Sequence, residues 1–126
     1  MTTFSYATAF EPPMPVCDVM LMVAVTGERV TLPGVVDTGA DATLIPLKHL
    51  RAIGARRVFE VGLRSQWGER RIVFLYLVDV SIGGVVLPGV YVVGDDMGDE
   101  VVIGRDVLNR LRLTLDGPAL LLQLLK

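Results

Sequence analysis

The chain has 126 residues, enough for one domain around one core, and its 52% hydrophobic and 21% charged residues give a globular composition. A net charge of -2 argues against nucleic acid as the main partner, because phosphate binding relies on clustered Lys and Arg. The longest uninterrupted apolar runs, residues 19–25 and 72–78, have seven residues each, where a membrane-spanning helix needs about twenty, so no membrane partner is expected.

Residues 1–15 contain Pro12, Pro13 and Pro15 and no sustained periodicity. They read as an N-terminal arm, open to disorder, ahead of a domain over residues 16–126. The arm has no basic start followed by an apolar stretch, so it does not read as a secretion signal. Residues 16–25 are rich in Val, Met and Leu, then reach Thr26-Gly27-Glu28-Arg29 and resume at Val30, which predicts a β-hairpin. Leu47, Leu50 and Ile53 follow Pro46 at a spacing of three and precede Gly54, which predicts a short helix. Residues 58–65 and 70–82 are two extended stretches around Gln66-Trp67-Gly68-Glu69. Another strand is predicted over 85–93, interrupted at Pro88-Gly89. A second helix is expected over 106–113, and a last strand over 119–125 after a turn at Asp116-Gly117. The fold class is mostly β with two short helices. The segment LPGVVDTG at 32–39 is partly echoed by LPGVYVVG at 87–94, a sign of two related β-units within one domain.

The informative segment is VVDTGADATLIP, residues 35–46. Hydrophobic residues bracket Asp37-Thr38-Gly39, which places the aspartate on a tight turn at the end of a buried strand. Gly39 gives that turn backbone freedom and close approach to its neighbours. Thr38 offers a small hydroxyl for a close contact. Asp and Gly favour turns in any case, so the tripeptide alone says little. About sixty residues later comes VVIGRDVL, residues 101–108, a buried strand, a glycine and a helix start.

The two motifs together, in this order and with a long hairpin between them, resemble the retropepsin family of aspartic proteases. The resemblance runs over nearly all of residues 16–125 and implies a retropepsin-like acid protease β-barrel with one Asp-Thr-Gly per chain. By that resemblance Asp37 matches the catalytic aspartate, Thr38 the residue bonding across a dimer axis, and Gly39 one that binds substrate backbone. Ala40 and Asp41 match positions lining the peptide groove, and Arg105 matches an arginine that pairs with Asp41. The hairpin over 58–82 stands where the family has its flap, with Trp67 and Gly68 at the tip as candidate substrate contacts. Its Glu69-Arg70-Arg71 departs from the glycine-rich tips of retroviral flaps. The single Asp-Thr-Gly implies that the second carboxylate comes from another copy, since two carboxylates must share a proton in this chemistry. The expected partners are therefore a second copy of the chain and a peptide or protein substrate. The apolar strand over 119–125 is a candidate for interface material.

Other residues read as structural. Asp95, Asp96, Asp99 and Glu100 form an acidic cluster without calcium-loop order, which reads as a solvated turn. His49, the one histidine, has no nucleophile or orienting acid to make a triad. No metal or cofactor is expected, because no ligand spacing is present. Cys17 cannot form an internal disulfide and sits in an apolar strand, which reads as a small core residue in a reducing, cytoplasmic setting. The leading expectation is a homodimeric aspartic endopeptidase. The competing one is a catalytically silent dimerisation or peptide-binding module that kept the fold.

Overall fold

A computed structural model describes residues 1–64 and 67–126. In chain order the strands are β1 (Thr2–Ser5), β2 (Val16–Met22), β3 (Arg29–Val36) and β4 (Leu44–Pro46), followed by helix α1 (Leu47–Ala52). Then come β5 (Arg56–Arg64), β6 (Arg70–Ile82), β7 (Val85–Asp95) and β8 (Val101–Ile103), helix α2 (Arg105–Leu108), β9 (Arg112–Asp116) and β10 (Leu121–Leu125). Seven strands form one sheet in the order β2-β3-β8-β4-β7-β6-β5, and β6 also pairs with β2 through Leu21↔Val80, closing a barrel. β5 hangs outside the ring as the free half of the β5–β6 hairpin.

The alternation along β2 explains its place. Cys17, Val19 and Leu21 point into the barrel while Asp18 faces out, the period-2 pattern of a half-buried strand. They meet Val36, Ile45, Val80, Ile82, Val92 and Ile103 in one core. α1 closes an end of it with Leu50, completely buried, and Gly54 ends the helix at φ 67°.

The LPGV echo corresponds to an interleaved arrangement. β3 runs parallel to β8, β4 runs parallel to β7, and β4 meets β8 antiparallel at Leu44↔Val102. The order β3-β8-β4-β7 thus has strand-turn-strand units threaded through each other, with one LPGV on β3 and the other on β7. The interruption expected at Pro88-Gly89 is a bulge within a continuous strand. Between Val78↔Val90 and Val80↔Leu87, Pro88 and Gly89 stand opposite Asp79 alone. Gly89 takes φ 64° and donates its N–H to Asp79 Oδ1 at 2.9 Å.

The arm over 1–15 carries structure through part of its length: β1 pairs antiparallel with β10 from Thr2↔Leu124 to Ser5↔Leu121, and Ala7 bridges Met14. One expectation is corrected. The helix expected over 106–113 stops after one turn at Leu108, because Leu113 and Leu115 alternate along β9 and pair with Leu124 and Leu122 of β10. The result is a second sheet, β1-β10-β9, whose middle strand buries Leu122 and Leu124 completely. Leu124 packs so closely over the Gly83-Gly84 turn that a Cβ on Gly83 would lie 2.7 Å from it.

Candidate active site

β3 delivers the aspartate. Val35 and Val36 are buried, and the chain then surfaces, leaving Asp37, Thr38 and Gly39 exposed. Backbone hydrogen bonds fix the exit: Val36 N–H donates to Pro15 O, Asp37 N–H to Ile103 O and Ala40 N–H to Asp37 O, all within 3.1 Å. The Asp37 carboxylate is itself oriented, since Oδ1 accepts the Gly39 N–H at 2.9 Å. Among the described residues nothing donates to Oδ2. A single chain therefore presents one positioned carboxylate at its surface.

Of the two reasons expected for Gly39, close approach is the one that applies: its φ is not positive, and a Cβ there would stand 3.2 Å from Asp37 Oδ1, so the carboxylate would have to give by a few tenths of an ångström.

The turn is tied to α2 from below. Arg105 Nη1 donates to Thr38 O at 2.9 Å, Nη2 pairs with Asp41, and Arg105 N–H donates to Ala40 O at 2.9 Å. Both side chains of the ion pair are substantially exposed, so the pair itself contributes about 0–1 kcal/mol. The buried connection lies one residue further on. Asp106 accepts from Thr43 N–H at 3.1 Å and Thr43 Oγ1–H at 2.7 Å, and Thr43 Oγ1 in turn accepts the Gly104 N–H at 3.1 Å. Thr43 is only 1% exposed. Gly104 leaves no room for a side chain, since a Cβ would come within 2.6 Å of Ala42 C and O. Thr43 and Asp106 lie outside the site residues to which the sequence points: one is a Thr within the first motif, the other an Asp in the first helical turn of the second, and only the fold pairs them.

The β5–β6 hairpin pairs from Arg56↔Leu77 to Arg64↔Arg70. Trp67 is exposed beyond it and Gly68 takes φ 81°, while Ser65 and Gln66 lie outside the described residues. A cavity of about 430 Å³ is lined by Leu63, Arg71 and Val73 of this hairpin together with Leu44, Val93 and Met97. Arg71 pairs with Asp96 at 2.6 Å and lies 3.9 Å from Asp95, and Lys48 lies 3.7 Å from Asp99. The acidic cluster is thus met by cations, and no group of metal-ligating side chains exists among the described residues.

Over residues 21–110 the sequence matches the family described as "gag-polyprotein putative aspartyl protease". The chain belongs to the retropepsin-like aspartic protease family. Solved structures share the fold of this family member. A retropepsin-like aspartic protease from Rickettsia conorii aligns over 96% of this chain and 86% of its own, with 15% identity and a TM-score of 0.64. EIAV protease complexed with the inhibitor HBY-793 aligns over 77% and 86%, with 20% identity and a TM-score of 0.59. The retroviral protease-like domain of Ddi1 from Leishmania major aligns over 90% and 94%, with 18% identity and a TM-score of 0.53. No curated protein matches the chain. The retropepsin-like fold, a closed β-barrel with two short helices, carries the Asp-Thr-Gly turn on the strand-to-surface exit described above.

Proposed function

We propose that this chain is one subunit of a homodimeric aspartic endopeptidase in which each copy supplies one Asp37. The observation that carries the reading is the lone Asp37 carboxylate, fixed at one oxygen and open at the other, on the surface of an aspartyl protease family member. Two such carboxylates brought together share one proton, because like charges a few ångströms apart do not both ionise. The ionised one takes a proton from water as its oxygen attacks the peptide carbonyl carbon. The protonated one gives its proton to the carbonyl oxygen. The tetrahedral intermediate then collapses as the C–N bond breaks. The carboxyl that took the water's proton gives it to the leaving nitrogen, and the other carboxylate takes a proton back from the intermediate's hydroxyl, which restores the pair.

Thr38 would bond across the axis, and Gly39, Ala40 and Asp41 would line the groove for an extended peptide. Trp67 and Gly68 would close over it as the hairpin shuts out water. The cavity between hairpin and barrel has apolar walls from Leu44, Leu63 and Val73, suited to an apolar substrate side chain. The reaction needs no cofactor, and the single thiol fits a reducing, cytoplasmic setting.

The test is cleavage of a diverse peptide mixture, read by mass spectrometry, by the native chain and by Asp37→Asn. The native protein should cut between about pH 4 and pH 7, the working range of a shared-proton pair, and the variant should lose orders of magnitude. Equal cleavage by both would exclude the reading. A folded native dimer that cuts nothing would favour a peptide-binding module.

A further inference from the structure

Resting on the dimeric reading above, the geometry points to the open edge of β9 as the place where the two copies join. β10 is flanked on both sides, so it is not available as the joining strand, and the sheet β1-β10-β9 ends in two open edges. Open edges are templates for another strand. Of the two, β9 is complementary to itself.

Its residues read Arg112-Leu113-Thr114-Leu115-Asp116. A two-fold axis normal to the sheet keeps facing side chains on one side, so the register must be centred on a residue. Centring on Thr114 overlaps all five residues and sets Arg112 against the partner's Asp116 at both ends. Leu113 then faces the partner's Leu115. Moving the centre to Leu113 or Leu115 overlaps only three residues and loses both ion pairs.

Observations on both faces support this register. Leu113 and Leu115 share the face of Leu124 and Leu122, yet Leu115 is 48% exposed, and the partner's Leu113 would cover it. On the other face Arg112 makes no ion pair among the described residues, and Asp116 uses only Oδ1, to accept the Ala119 N–H at 3.2 Å. The β1 edge, Thr2-Thr3-Phe4-Ser5, has no charges to match. β9 also follows closely on α2, whose Arg105 grips the Asp37 turn. The joined sheet is six-stranded, with each chain's termini paired within that chain.

The test is association measured by sedimentation, with circular dichroism as the check on folding. Arg112→Asp and Asp116→Arg, made in separate chains, each set like charges opposite one another in their own homodimers. Each should dimerise at least about ten-fold more weakly than the native chain, and the two mixed should recover a heterodimer. Homodimers of native strength, or a mixture that stays monomeric, would overturn the assignment. Thr114→Cys checks the register without touching a charge: a short bis-maleimide, which alkylates one thiol at each end, should link chain to chain, Cys17 being buried. A native-strength dimer that does not link there would also overturn it. Because these readouts follow association alone, a misplaced edge leaves the protease reading intact, and that reading stands or falls on cleavage by Asp37→Asn.

Discussion

Thr43 and Asp106 hold the Asp37 turn against α2 more firmly than the visible ion pair does. Replacing Asp106 by Ala strands the Thr43 N–H and hydroxyl in a buried site, at roughly 1–3 kcal/mol for each unsatisfied group. Asp41→Asn removes an exposed charge from Arg105 and should cost about 0–1 kcal/mol. Urea unfolding of the two variants measures the difference, and equal losses would refute this ranking. Cys17 gives a second test. Burial, with Asp18 nearby, pushes its thiol from the ordinary 9.0 up to about 12. The folded pKa lies above the unfolded one, so the stabilising contribution of the neutral thiol is complete below pH 9 and is lost as pH rises toward 12. Native protein should therefore lose more stability than Cys17→Ala as pH climbs through that window, followed by thermal unfolding. The sequence made Asp37 legible because hydrophobic brackets announce a turn at a strand end. It hid Thr43 and Asp106 because their value lies in a contact between residues 63 apart, which no local pattern encodes.

At the scale of elements, local signals located the hairpins and α1, where alternation, turn residues and Pro-Gly punctuation agree. They failed where tertiary pairing decides. Residues 106–113 carry apolar residues at spacings a helix also uses, and only β10, pairing with Leu113 and Leu115, makes the second half a strand. The first residues lack periodicity, yet β1 is ordered because β10 offers it an edge. The last strand, expected as interface material, also supplies part of the core. Removing the chain after Asp116 deletes Leu122 and Leu124 from the core and leaves β1 without its partner. Losing each buried leucine costs about 2–5 kcal/mol even when only truncated to Ala. Against a total stability of roughly 5–15 kcal/mol, the shortened chain should unfold. Circular dichroism that reports a folded monomer instead would show that β10 serves assembly and not the core.

At the scale of the whole molecule, the proposed dimer would make activity a property of pairs. If two Asp37 carboxylates share a proton, cleavage should rise and fall with pH in a bell, whose two limbs belong to the pair and not to one chain. A bell can also arise from two different groups, so it does not by itself prove sharing. Mixing does. Asp37→Asn keeps the shape of the side chain and should still dimerise, so at saturating concentration native and variant chains combine at random. In an equal mixture, about one quarter of symmetric dimers then hold two native chains, and total activity should fall to about one quarter of that of native protein at the same total concentration. An enzyme whose chains work alone would keep about half, because the variant chains would dilute the native ones without disabling them. The gap between a quarter and a half is large enough to read in a single assay, provided the mixture is allowed to exchange subunits first. A value that stays at half after exchange would mean that each chain completes its own site, and the Asp37 turn would then have to find its second acid within one barrel.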